Sequence, residues 1–113
     1  MSVPSELFSK RANYAPVFAA LGDPTRLSLI AKLARGLPCS IATLTEDTKL
    51  TRQAVTKHLK VLEQARLVHS RREGRESRFA LNPEPLDAAR RYLALVSRQW
   101  DEALERLRDF VER

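Results

Sequence analysis

The sequence predicts a mainly α-helical fold with one small β-hairpin, and three patterns support this prediction. Apolar residues recur at helical spacing along most of the first 65 residues and again after residue 85. Between these segments, two short runs of strand-like sequence flank Gly74, which has the flexibility that a tight hairpin turn needs. A chain of 113 residues is long enough for one hydrophobic core, so we predict a single domain over residues 1–113.

The first two predicted helices are separated by a Gly-Asp-Pro segment. An apolar stripe at spacing i, i+3, i+4, i+7 defines the first helix, and Gly22 is expected to end it; the stripe consists of Tyr14, Val17, Phe18 and Leu21. Asp23 is a good N-cap for the second helix, and Pro24 suits its first position. The second helix is apolar around most of its circumference, through Leu27, Leu29, Ile30, Leu33 and Ala34. We therefore expect it to be central and buried, and to end at Gly36.

The third and fourth helices are predicted to form a helix-turn-helix over about residues 40–65. Ser40 is expected to cap the short third helix, and Thr51 the fourth, which runs to about Ala65. Residues 67–73 and 76–82 are expected to form the hairpin, a wing, with Phe79 and Leu81 directed toward the core. Because Pro83 and Pro85 prevent the second strand from continuing, a last helix is predicted over about residues 86–112.

The net charge of +6 is concentrated in one segment of the chain. Residues 49–78 contain nine cations and three acids, whereas the other 83 residues contain eleven of each. The excess positive charge therefore lies entirely on the fourth helix and the wing. A focused basic surface indicates a polyanionic partner, and the shape of the motif favours double-stranded DNA.

The fourth helix divides into an apolar arc and a polar, basic arc. The arc predicted to face the core consists of Thr51, Ala54, Val55, His58, Leu59, Val61, Leu62 and Ala65. The opposite arc includes Arg52, Gln53 and Thr56. They lie near the N-terminus of the helix, where a recognition helix contacts base edges. Lys57 and Lys60 are expected to contact phosphates. The alternative is an ordinary solvated helix face.

Four arginines surround the hairpin turn, and we expect them to contact DNA; they are Arg71, Arg72, Arg75 and Arg78. Arg75, at the tip, is the strongest candidate. The alternative for Arg71 and Arg78 is a set of salt bridges across the two strands.

The last helix has an apolar stripe that resembles a coiled-coil seam. Leu93, Trp100 and Leu107 repeat every seven residues and interleave with a second series, Ala89, Val96, Ala103 and Phe110. Leu104 widens the stripe beyond a single packing contact, so the helix is expected to pack against a second copy of the chain. The alternative is a helix that serves only its own core.

Other classes of protein receive little support from the sequence. There is no Gly-rich phosphate loop and no arrangement of nucleophile and base, so we do not expect an enzyme. No apolar run approaches the length of a membrane span. The single Cys39 and the absence of a secretory signal predict a cytoplasmic location. A winged-helix module that binds another protein is an alternative to a DNA-binding regulator.

Three segments together resemble the ArsR-type winged-helix transcription repressors: ALGDPTRLSLIAKLARG, LTRQAVTKHLKVLEQARLV and SRREGRESRFAL. The resemblance covers about residues 13–82 closely and the last helix more loosely. It implies a repressor that binds an inverted-repeat operator as a homodimer through its first and last helices. The dimer interface would then include Tyr14, Phe18, Leu93, Val96, Trp100, Leu104 and Leu107.

The sequence departs from the family pattern in two respects. Ser40 and Ala42 stand where metal-sensing members have cysteines, and the last helix contains no histidine, so we expect neither a metal site nor a cofactor. His58 and His69 are expected to be structural. A metal or thiol-redox signal at Cys39 stays open as an alternative, and the sequence does not identify a small-molecule effector. Arg66 replaces the usual Gly after the recognition helix, which predicts backbone strain if that residue is left-handed.

Overall fold

The computed structural model describes the backbone of residues 5–113 and the side chains of residues 13–113. In this part of the chain, five helices and three strands follow one another: α1 (Ser5–Leu21), α2 (Pro24–Leu33), β1 (Cys39–Ser40), α3 (Ile41–Thr45), α4 (Arg52–Gln64), β2 (Val68–Glu73), β3 (Glu76–Leu81) and α5 (Pro83–Glu112). The winged helix-turn-helix order is confirmed. None of the described helices is both long enough and apolar enough to cross a membrane.

Three helices begin at the caps predicted from the sequence. The carboxylate of Asp23 accepts the backbone N–H of Arg26 at 3.0 Å. The hydroxyl oxygens of Ser40 and Thr51 accept the backbone N–H groups three residues later, at 3.2 Å and 3.0 Å. Each such cap stabilises a helix by about 1 kcal/mol, which matters most for the five-residue α3. These contacts fix where α3 and α4 start.

The end of α4 is a Schellman motif in which Arg66 occupies the left-handed position. The backbone N–H of Arg66 donates to the carbonyl of Glu63 (2.9 Å), and that of Leu67 donates to the carbonyl of Leu62 (3.0 Å). Arg66 has φ of 61° and is the one non-glycine residue with positive φ among those described. The strain expected from the sequence at this residue is therefore present.

The wing is part of a three-stranded antiparallel sheet with strand order β1-β3-β2. Gly74, with φ of 62°, lies in the predicted turn. β1 was not predicted, because a strand of two residues after Pro38 is too short to show a period. β1 pairs Cys39 with Phe79 and Ser40 with Arg78. Since Ser40 also caps α3, this pairing joins the start of the helix-turn-helix directly to the wing.

The core lies among α2, α3, α4 and the base of the sheet. Its fully buried side chains are Leu29, Leu44, Val55, Leu59, Leu62 and Leu67, with Phe79 almost fully buried beside them. Four residues predicted to be buried are exposed: Leu27 and Ala34 at α2, and Thr51 and Val61 at α4. The buried residues of α2 are Leu29 and Leu33, so this helix is covered on one side rather than surrounded. On α4, Thr51 is the N-cap, and Val61 lies at the margin of the arc that buries Val55, Leu59 and Leu62.

Helix α5 begins three residues earlier than predicted, at Pro83. The first backbone N–H groups of a helix have no partner within it, so Pro83 and Pro85 remove no hydrogen bond from the first turn. The helix contains 30 residues, which at 1.5 Å per residue gives a length of about 45 Å.

Candidate nucleic-acid interface

The structure confirms the division of α4 into a buried and an exposed face. Val55, Leu59 and Leu62 are fully buried. The predicted DNA-binding residues occupy the other side, where Arg52, Gln53, Lys57 and Lys60 are exposed and Thr56 is half-buried. The exposed side near the helix start thus offers a guanidinium and an amide, the two groups that pair bidentately with guanine and adenine.

Thr56 has an intrahelical contact that the sequence did not indicate. Its hydroxyl donates to the carbonyl of Arg52, with an O–O distance of 2.7 Å. The hydroxyl proton is therefore occupied, and the groups that Thr56 offers outward are its methyl and the oxygen lone pairs. A methyl in this place suits contact with the methyl of thymine.

The start of α4 and the tip of the wing face the same cleft. Arg52 and Arg75 both line it, together with Ser40, Ala42 and Ser77. The cleft has a volume of about 270 Å³ and is also lined by Glu76. Two guanidiniums from separate elements therefore border one groove on the flank that carries the predicted recognition residues.

The alternating directions of strand side chains divide the wing arginines into two groups. Arg72 pairs with Ser77, and both lie on the face of the sheet that carries Phe79 and the core. Arg71 pairs with Arg78 on the opposite face, in a shallow depression that also includes His69 and Pro38. The structure thus brings Arg75 and Arg52 together, and places Arg71 and Arg78 on the far side of the hairpin.

Arg78 forms a cross-strand ion pair with Glu73, the alternative that the sequence left open, and a second ion pair with Glu76 of its own strand. Its Nε lies 3.2 Å from Oε2 of Glu73, and its Nη2 lies 3.7 Å from Oε2 of Glu76. Arg71 forms no ion pair with any residue whose side chain is described. The charge of Arg78 is therefore partly offset, while that of Arg71 remains free for an anionic partner.

A hydrogen bond between Ser70 and Glu63 joins the wing to the recognition helix. The hydroxyl of Ser70 donates to Oε2 of Glu63 at 2.8 Å. Glu63 is the one acid on α4, and this contact gives it a structural role. The sequence contained no sign of the bond, because it depends on how the hairpin packs against the end of the helix.

His58 is held by the junction between α1 and α2, as a structural histidine would be. Its Nδ1 lies 3.3 Å from Nη1 of Arg26 and 3.8 Å from Oδ2 of Asp23. Arg26 also donates through Nε to the carbonyl of Ala20 at 2.6 Å. The backbone N–H of Arg26, followed by its positive charge, holds the pKa of Asp23 below its usual value of 3.8.

The described residues form neither a metal site nor a disulfide at Cys39. Among the described side chains, no group of three or more potential ligands is placed to hold a metal ion. Cys39 is half-buried at the start of β1, and its thiol donates to the carbonyl of Leu37 at 3.3 Å.

The terminal helices pack together within one chain and leave much of α5 uncovered. Tyr14 stacks on Tyr92 with ring centroids 4.7 Å apart, and Phe18 lies 6.0 Å from the same ring. Tyr92 was not identified from the sequence. Among the predicted dimer residues of α5, Val96 is half-buried, whereas Leu93, Trp100, Leu104 and Leu107 are exposed. In the described part of the chain, these four large apolar side chains are 44–60% exposed.

Comparison with known proteins gives consistent results. A family model described as a helix-turn-helix domain matches residues 21–71. The HTH-type transcriptional regulator Rv2034 of Mycobacterium tuberculosis is 41% identical over 85 residues, which cover 75% of this chain and 76% of that protein. The arsenical resistance operon repressor of Bacillus subtilis is 36% identical over 84 residues, covering 74% and 76%. Among solved structures, an ArsR-like transcriptional regulator from Rhodococcus sp. RHA1 superposes with a TM-score of 0.74 at 33% identity, covering 90% of this chain and 95% of that one.

Proposed function

Because the chain belongs to the ArsR-like helix-turn-helix transcriptional regulators, which are DNA-binding proteins and not enzymes, we propose that it is a homodimeric repressor of an inverted-repeat operator. One observation carries the proposal. Arg52 at the start of α4 and Arg75 at the tip of the wing line a single cleft, so that both elements reach one DNA duplex from the same side.

We divide the DNA contacts by the groups that each residue offers. Arg52, Gln53 and Thr56 are at the start of the recognition helix and are assigned to base edges. Lys57, Lys60, Arg72 and Arg75 are assigned to phosphates, where positive charge gives affinity without sequence preference. Arg71 contributes less, because it lies on the far side of the hairpin. Arg78 contributes least, because Glu73 and Glu76 already occupy its guanidinium.

The shape of the chain supports the dimer. A compact chain of 113 residues would have a radius of gyration of about 13 Å, but the observed value is 18.2 Å. The exposed stripe on α5 consists of Leu93, Trp100, Leu104 and Leu107. Complete burial of one such side chain is worth about 1.5–3 kcal/mol, so covering the stripe with a second copy gives a driving force of several kcal/mol. Tyr14 and Phe18 would border this interface while packing on Tyr92 of their own chain.

A twofold dimer of this kind would place two α4 helices about 34–36 Å apart, one turn of DNA. An operator with matching symmetry is the natural target. Bound at a promoter, the dimer would exclude other proteins from the same duplex, and the relative in Bacillus subtilis carries the name of a repressor. Repression is therefore the regulatory outcome that we propose.

The test begins with selection of bound sequences from a pool of random duplexes. We expect an inverted repeat whose half-sites are centred about 10–10.5 base pairs apart, or a multiple of that spacing. Transcription in vitro from a promoter carrying the selected site should then fall when the protein is added. Enrichment of no sequence would refute direct readout, and enrichment of a single, unrepeated half-site would refute the symmetric dimer.

The alternative function is a module that binds another protein, because the exposed apolar stripe on α5 could accept a helix of a different partner. Salt dependence separates the two functions. If the protein contacts six to ten phosphates, its affinity for the selected duplex should fall by about 10³–10⁵ between 50 and 200 mM salt. An apolar interface with another protein would respond little over the same range.

We also propose that no metal or cofactor takes part in DNA binding. Operator affinity measured with a chelator, with added zinc and with an oxidant should then be the same. A change with zinc would indicate a metal signal, and a change with oxidant alone, abolished by Cys39→Ser, would indicate a thiol-redox signal.

A further inference from the structure

Asn82 joins the end of the recognition helix to the start of α5 through two hydrogen bonds. Its side-chain Nδ2 donates to the carbonyl of Arg66 at 3.1 Å, and its backbone N–H donates to the carbonyl of Leu67 at 2.9 Å. Arg66 is the strained left-handed residue that ends α4, and Leu67 is fully buried. The second bond therefore fixes the backbone of Asn82 to the core, while the first connects its side chain to the last turn of α4.

The side chain of Asn82 does not perform the role that its position suggests. Asn82 is the N-cap of α5 and forms no capping bond to its own helix, since the third residue after it is Pro85, which has no backbone N–H to donate. The side chain is directed to Arg66 instead. The side chain of Asn82 is thereby available for a contact with another element, and its bond to Arg66 connects the end of α4 to the first residue before α5.

We propose that Asn82 is a positioning residue that sets the angle between α4 and α5, and thereby the spacing of the two half-sites that a dimer accepts. This inference rests on the proposed dimer. Helix α5 is about 45 Å long, so a rotation of roughly 5° at its first residue would displace its far end by roughly 4 Å. That displacement is close to the rise of one base pair, about 3.4 Å. Loss of the Asn82 contact would therefore relax the geometry on which spacing depends.

The test is Asn82→Asp, which is almost isosteric. Aspartate cannot donate to the carbonyl of Arg66, and because Asn82 forms no capping bond in the parent, the substitution removes none from the start of α5. Binding is measured on the selected operator and on versions with one base pair added or removed between the half-sites. We expect the parent to prefer one spacing by at least about tenfold, and the variant to distinguish the three by less than about threefold. Base preference within each half-site should be unchanged.

Two further variants separate geometry from stability. Asp87→Asn makes the reverse change of charge near the start of α5. The ion pairs that Asp87 forms are with Arg90 and Arg91 of the same helix, so this variant should keep the spacing preference of the parent. The double variant Arg66→Gly with Asn82→Asp relieves the strain at residue 66 but still lacks the side-chain bond. We expect it to be as tolerant of spacing as Asn82→Asp alone.

Three results would overturn the inference. The first is an Asn82→Asp variant that retains the spacing preference of the parent. The second is a double variant that recovers this preference, since the effect would then come from lost stability. The third is a parent that shows no preference, which would refute the proposed dimer on an inverted repeat as well and is thereby distinguishable from the other two.

Discussion

At the scale of single residues, three N-cap side chains fix the starts of α2, α3 and α4 by accepting backbone N–H groups of the first helical turn. Asp23, Ser40 and Thr51 were identified as caps because a cap acts on an N–H group only three residues away. The hydroxyl of Thr56, the guanidinium of Arg78 and the amide of Asn82 have partners that depend on rotamers or on packing between elements. The contacts of Thr56 and Asn82 could not be predicted, and the ion pair of Arg78 with Glu73 could be given only as an alternative to a DNA contact.

Arg66 offers a direct test of backbone strain. We expect Arg66→Gly to raise the free energy of unfolding by about 0.5 kcal/mol, because relief of about 1 kcal/mol of left-handed strain exceeds what is lost with a cation near a helix C-terminus. Denaturant titration measures the change. Arg66→Lys keeps both the charge and the strain, so it should match the parent. An equal gain from Arg66→Lys would show that strain is not the cause.

Asp23 gives a dependence on pH. Its folded pKa lies below the ordinary value of 3.8, so its contribution to stability is complete above that pH and is lost as the pH falls through the folded pKa. Below about pH 4, the midpoint temperature of thermal unfolding should therefore fall more steeply for the parent than for Asp23→Asn, which keeps a capping oxygen without the charge. Parallel curves for the two proteins would contradict this expectation.

At the scale of elements, α4 was placed correctly because its apolar pattern is long, the hairpin because Gly74 marks its turn, and the short α3 because Ser40 marks its start. β1 was missed, and α5 was started too late, since two residues show no period and prolines in a first turn resemble a break. The face of the hairpin on which each arginine lies follows from the register of β2 and β3, and was not predicted. The separation of Arg71 and Arg78 from Arg75 is the result that most changes the interpretation of the wing.

The two faces of the wing predict unequal roles for its arginines. Arg75→Ala should weaken binding to all duplexes alike and reduce the slope of log affinity against log salt by about 1. Arg78→Ala removes a side chain already paired with two carboxylates, so the slope should change by much less. Mobility-shift titrations at several salt concentrations compare the two variants. Equal slopes would mean that both arginines contact the backbone.

At the scale of the whole molecule, the principal axes measure 64 × 29 × 21 Å, and the long α5 is the reason for the elongation. The sequence predicted an apolar stripe on this helix, and in the described part of the chain its side chains Leu93, Trp100, Leu104 and Leu107 are 44–60% exposed. Which of them pack on α1 could not be deduced, because the stacking of Tyr14 on Tyr92 depends on how the two helices cross.

A charge within the stripe should separate the protomers. We expect Leu104→Glu to weaken dimerisation by about 2 kcal/mol or more, because association would bury an unpaired carboxylate. Leu95→Glu is the matched control: Leu95 is also exposed, but it lies about 200° around the helix from Leu93, outside the stripe. Sedimentation at several concentrations measures both. A similar loss in both variants would place the contact elsewhere on α5.

The position of Trp100 also has a spectroscopic consequence. It is the only tryptophan in the chain, it is 59% exposed, and it lies in the middle of the stripe, far from the cleft between Arg52 and Arg75. Its indole emission therefore reports the hydration of one surface alone. Dilution should move the emission maximum to longer wavelength as that surface becomes wet, which gives an intrinsic, label-free optical signal for the monomer–dimer equilibrium.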